Sequence, residues 1–162
     1  KTVERASSEF PNEPELIEMD KLVRKSQERA RQARELLDRA REQTEKGAGE
    51  KALDDLRQAH ELDPRNSVTR TVLINTLFEQ ARKSMDANSD VAEAAVKEIL
   101  HLDPNHVPAR SLESQIADRK REDFITWCMA QARRLQTDGD FGGALAVAAQ
   151  GLAAFPNEPR LQ

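Results

Sequence analysis

The chain has 162 residues, of which 33% are charged and 4% aromatic, with no tyrosine and a formal net charge of −4. Recurrent Ala, Leu, Glu, Arg and Gln make a helix-forming composition, and the interspersed charges exclude a global field that would steer the chain onto nucleic acid or anionic lipid. One cysteine, Cys128, excludes an internal disulfide framework and fits a reducing compartment, and no stretch approaches the ~20 apolar residues of a membrane span.

The sequence opens at Lys1 with no signal-peptide pattern and reads as a fragment of a longer, cytoplasmic protein. The first punctuation is Phe10-Pro11-Asn12-Glu13-Pro14, a helix stop followed by a helix start. From there Leu16, Met19, Val23, Ser26, Ala30, Ala33, Leu37, Ala40 and Thr44 step by three and four, a heptad seam that is small in its middle. Pro14 suits a first helical turn and Gly47 a helix end, so residues 15–45 are predicted to form one helix of roughly 30 residues, about 45 Å long. Gly47-Ala48-Gly49 is a turn, and a second helix runs to the break at Leu62-Asp63-Pro64-Arg65-Asn66. The next pair of helices turns at Asp86–Asp90 and stops at Leu102-Asp103-Pro104-Asn105-His106. Residues 108–137 repeat the long-helix design, with Arg119-Lys120-Arg121-Glu122-Asp123 interrupting the apolar stripe as a solvated, charged face. Asp138-Gly139-Asp140 makes the last turn, and the final helix ends at Phe155-Pro156-Asn157-Glu158-Pro159, nearly a copy of the first phrase.

A register underlies these breaks. Ala52, Ala92 and Ala144 each stand twelve residues before a closing proline, and Ala40, Ala81 and Ala132 stand twelve, eleven and twelve residues before those alanines. Leu56, Val96 and Ala148 supply an apolar residue four places after the second alanine, and Leu36, Leu77 and Cys128 an apolar residue in the first helix. In these positions the chain resembles the tetratricopeptide repeat family, whose small residues lie where two antiparallel helices touch and whose unit closes on a proline. The family's tyrosine position departs, being Gln43, Ser84 and Leu135. The period departs too: the closing prolines lie 53, 40 and 52 residues apart against a family value of about 34. The first helices therefore carry roughly 19, 7 and 18 extra residues, close to whole turns, and are read as lengthened helices rather than loops. The resemblance implies an all-α fold, a right-handed stack of antiparallel helical hairpins. Residues 14–64, 65–104 and 105–156 would be the three hairpins, with 1–13 the tail of a preceding one and 157–162 the start of a following segment.

Little in the sequence carries chemistry. His60, His101 and His106 lack a metal-ligand spacing, and Cys128 has no basic neighbour and falls on the packing face. Asp138-Gly139-Asp140 lacks the further ligands of a calcium loop, and no phosphate-cradling glycine loop occurs. No catalytic residue, metal or cofactor is assigned. The resemblance does imply a partner-binding groove. Arg41, Arg82 and Arg133, each following a first-helix alanine, occupy positions that face it, with Arg34, Asn75 and Thr126 two turns earlier on the same face. Planar guanidinium forks would suit an acidic protein or peptide. The competing reading is a wet helix face whose arginines pair with neighbouring carboxylates. The family's clamp for a chaperone's terminal carboxylate needs lysine and asparagine where Leu37 and Arg41 stand, which argues against that role. Arrays of this composition also resemble those attached to bacterial serine/threonine kinase domains, though no residue here is a kinase residue. The expected function is a non-catalytic protein–protein interaction module. The alternative is a structural spacer whose long helices self-associate, as in a homodimer.

Overall fold

The computed structural model describes residues 13–162, so the expected tail at 1–13 lies, but for Glu13, outside the described residues. Among the described residues every regular element is helical and none is a strand, the all-α class expected. The helices are α1 (Pro14–Glu45), α2 (Gly49–Leu62), α3 (Ser67–Ser84), α4 (Ser89–Leu102), α5 (Val107–Thr137) and α6 (Phe141–Ala154), followed by a single 3-10 turn at Pro159–Leu161. The described residues divide into two compact units, 13–80 and 81–162, with the division inside α3.

In the first unit α1 runs unbroken for 32 residues. Pro14 opens it, its fixed φ already helical and its missing N–H one that would have gone unpaired. Gly47 closes it at φ 77°, a left-handed conformation that glycine adopts without a side-chain clash, and its N–H donates to the Thr44 carbonyl at 3.0 Å. A link of three residues to α2 forces an antiparallel pair. Ala33, Leu37 and Ala40 of α1 are buried, as are Ala52, Leu53, Leu56 and Ala59 of α2. All four of the alanines are fully covered, and such small side chains let helix axes approach closely.

The predicted seam is buried only in its second half. Met19 is 50% exposed, and Ser26 and Thr44 also face solvent. The reason is length: the 14 residues of α2 span about 21 Å and cannot cover an α1 of about 48 Å. In α3, Asn66 Oδ1 accepts the Val68 and Thr69 amides at 3.1 and 3.2 Å and so caps the helix start. Thr69, Leu73, Ile74 and Leu77 are buried.

In the second unit α5 is the common element, packing on both α4 and α6. Ala92, Ala95, Val96 and Ile99 form the buried side of α4. Ile125 and Cys128 of α5 join Leu161 in a core to which Val147, Leu152 and Phe155 add partly buried surface. The turn before α6 uses Gly139 at φ 81°, and Asp140 accepts the Gly143 amide at 2.8 Å as an N-cap. The 119–123 run is more than a solvated face. Lys120 binds Asp90 at 2.5 Å and also Glu93, and Arg119 reaches Asp86 at 3.2 Å, so the run fastens α5 to α4 and to the turn before it.

Candidate functional site

The six candidate residues share one local register. Arg34, Arg41, Asn75, Arg82, Thr126 and Arg133 are all exposed on helices. Each directly follows a residue turned inward: Ala33, Ala40, Ile74, Ala81 and Ile125 are buried and Ala132 is half-buried. A side chain one step from a packed residue leaves the edge of the helix contact, its backbone held by the neighbour. Arg34 and Arg41 stand two turns apart on α1, and Thr126 and Arg133 two turns apart on α5. Arg41 lies 3.5 Å from Asp38, a loose pair between two exposed groups that leaves the guanidinium largely solvated. Arg133 makes no ion pair among the described residues, and it borders a feature that sequence reading missed.

That feature is an open cleft of about 500 Å3 in the second unit, lined by Met129, Ala132, Arg133, Phe141, Leu145 and Leu161, among others. Phe141 and Leu145, at the start of α6, are 63% and 72% exposed. No residue of α6, from Phe141 to Ala154, is charged. A helix apolar all round is normally covered on every side, so the bare flank of α6 departs from its own composition. That absence of charge was the available signal.

Two internal charge clusters also escaped notice. Asp55, on the buried side of α2, accepts from Arg39 Nε at 2.6 Å, again from the second guanidinium nitrogen, and from Gln43 Nε2 at 3.0 Å. The Arg39 hydrogen bonds hold its carboxyl below the usual range, against a desolvation that would raise it. Around the 3-10 turn, Arg160 binds Glu158 at 2.6 Å and Glu122 at 2.5 Å, while Arg121 reaches Glu158 at 3.1 Å and lies 5.3 Å from the centre of the Phe155 ring. Hydrogen bonding from Arg160 is the largest influence bringing Glu158 down to about 2. On α4, hydrogen bonding from Lys120 is the largest influence bringing Glu93 to about 2. These clusters join elements within a unit, and their donors and acceptors are spent on one another.

The histidines and the cysteine have structural places. His106 Nδ1 accepts the Ala109 amide at 3.2 Å and caps α5, a role its spacing did not announce. Cys128 is fully buried, and burial pushes its thiol up from the ordinary value. Among the described residues no three His, Cys, Asp or Glu side chains gather as a metal site, and no helix is long and apolar enough to cross a membrane.

No protein-family model, curated protein or solved structure matches this chain.

Proposed function

We propose that this chain is a non-catalytic protein–protein interaction module built of tetratricopeptide-like helical hairpins. It captures an acidic protein or peptide through Arg34, Arg41, Asn75, Arg82, Thr126 and Arg133. The observation that carries the reading is the shared register: each of the six is exposed and directly follows a buried or half-buried residue. A side chain rooted in that way loses little further backbone freedom on binding, which favours recognition over a surface charge placed at random. Arginine adds a planar fork that matches carboxylate or phosphate in two places at once. In a larger regulatory protein, such as a bacterial serine/threonine kinase, the module would bring a substrate or regulator to the catalytic domain.

A library of acidic and phosphorylated peptides, probed with the native chain and with the Arg41→Ala/Arg82→Ala/Arg133→Ala variant, tests this reading. The expected result is a set of acidic sequences retained by the native chain, released as salt rises, and lost by the variant. Equal retention by both proteins would remove the arginines from the site.

A further inference from the structure

We propose that the cleft between α1 and the link from α2 to α3 is a binding site for a phosphate group, held by Arg29 and Arg65.

The two hairpins that begin with a long helix close in the same way, and the second shows what the first lacks. Counted from the closing prolines Pro64 and Pro156, Arg29 corresponds to Arg121, Ala30 to Glu122, Asn66 to Glu158 and Val68 to Arg160. In the second unit these positions form a balanced cluster. Arg121 binds Glu158 at 3.1 Å, and Arg160 binds both Glu158 and Glu122. Two guanidiniums meet two carboxylates there, and Glu158 is buried by the contact. In the first unit the cation at the Arg121 position is kept and both carboxylates are replaced. Asn66 stands for Glu158 and spends its Oδ1 on the Val68 and Thr69 amides. Ala30 stands for Glu122 and carries no charge.

In place of a cluster there is an open cleft of about 370 Å3, lined by Arg29, Ala30, Asp63, Pro64 and Arg65, among others. Arg29 Nη2 donates to the Glu61 carbonyl at 3.2 Å. That bond anchors the guanidinium, covers part of the negative end of α2, and leaves the remaining N–H groups for a further acceptor. Arg65 is exposed and makes no ion pair among the described residues. Asp63 also lines the cleft, so two cations face one carboxylate. A carboxylate offers two oxygens in one plane, enough for one guanidinium fork. A phosphate offers oxygens to two forks at once and carries roughly two negative charges, which suits a pair of arginines better.

Titration of the 162-residue chain with inorganic phosphate, exchanged for chloride at constant ionic strength, tests the proposal by NMR of the arginine Nε–H signals. The Arg29 and Arg65 signals should move along saturating curves. Arg29→Gln and Arg65→Gln should each weaken binding by at least about tenfold, as expected for loss of a charged hydrogen-bond donor. Asp63→Asn should tighten it several-fold, because the phosphate no longer approaches a like charge. Both arginines are exposed, so circular dichroism should show unchanged helix content in these variants. A parallel titration with an N-acetylated, amidated phosphoserine tripeptide separates the sources. Tighter binding than inorganic phosphate assigns the site to a phosphorylated side chain, and weaker binding assigns it to the free ion. Shifts that grow in proportion to phosphate at every arginine alike would overturn the proposal. Saturable binding unchanged by either glutamine substitution would do so as well. Neither arginine is among the six residues proposed to hold an acidic partner, so the two readings fail separately.

Discussion

Removing the exposed member of the Arg39–Asp55 pair should cost more than removing the buried one. Asp55 has a side chain only 8% exposed, while that of Arg39 is 56% exposed. In Arg39→Ala the carboxylate stays in place, keeps only the Gln43 hydrogen bond and cannot reach water freely. Hydrogen bonds to charged groups contribute roughly 1.5–3 kcal/mol, and discounting for the solvent around Arg39 leaves an expected loss of about 1–2 kcal/mol at neutral pH. In Asp55→Ala the guanidinium turns to solvent without a stranded charge. Alanine also regains several tenths of a kcal/mol of helix propensity over aspartate, so the net loss should be about 0.5–1 kcal/mol. The double variant should be no less stable than Asp55→Ala, giving a coupling of about 1–2 kcal/mol. The pH dependence has a definite sign. A carboxyl held below its ordinary pKa contributes above that ordinary value, about 3.9, and loses the contribution as pH falls through its lower folded value. The deficit of Arg39→Ala should therefore be full at pH 7 and shrink at acid pH. Urea unfolding followed by circular dichroism at both pH values measures the cycle. A loss in Asp55→Ala equal to or above that in Arg39→Ala, with no coupling, would mean that the Asp55 carboxylate is not stranded when Arg39 is removed.

Three further outcomes follow from the second unit. A Cβ on Gly151 would lie 2.5 Å from Leu161 Cδ1 and 3.2 Å from Cys128 Sγ, so Gly151→Ala should forfeit its gain of up to ~1 kcal/mol in helix propensity by displacing Leu161. In a Leu161→Ala background the same substitution should become stabilising, read as a rise in the urea midpoint. Cys128→Ala should cost about 1 kcal/mol and leave peptide binding intact, and the native thiol should react with a thiol reagent far more slowly than the unfolded one. Glu158, held at about 2, should contribute stability above about 4.3 and lose it as pH falls from there to about 2; Glu158→Gln should flatten the melting temperature over that window.

The parts of the fold that were legible from sequence are those set by backbone chemistry and side-chain size. Gly47 and Gly139 marked their turns because both adopt positive φ, and Ala40, Ala81, Ala52 and Ala92 marked helix contacts because all four are fully buried. Counting whole turns was enough to read 15–45 and 108–137 as long helices, which run in the structure from Pro14 to Glu45 and from Val107 to Thr137. The heptad seam failed at Met19 because periodicity identifies a face but not how far its partner extends. The charges of 119–123 were misread because composition cannot say that Asp86, Asp90 and Glu93 wait on a neighbouring element. Asp55 and Glu158 were passed over for the same reason, since Arg39 and Arg121 reach them from 16 and 37 residues away in the sequence. Of the candidate site, the exposure of the six residues was legible, and the cleft beside Arg133 was not, since it depends on what fails to cover α6.

If the arginines bind a partner, the geometry of the fork should contribute as well as the charge. The most direct measurement takes the best acidic peptide from the library and titrates it calorimetrically into the native chain and into two variants, with Arg41, Arg82 and Arg133 all replaced by alanine or all by lysine. Native binding should weaken as ionic strength rises, the alanine variant should show no heat of binding, and the lysine variant should recover only part of the affinity, since an ammonium keeps the charge and loses the fork. Unchanged affinity in the alanine variant would contradict the account.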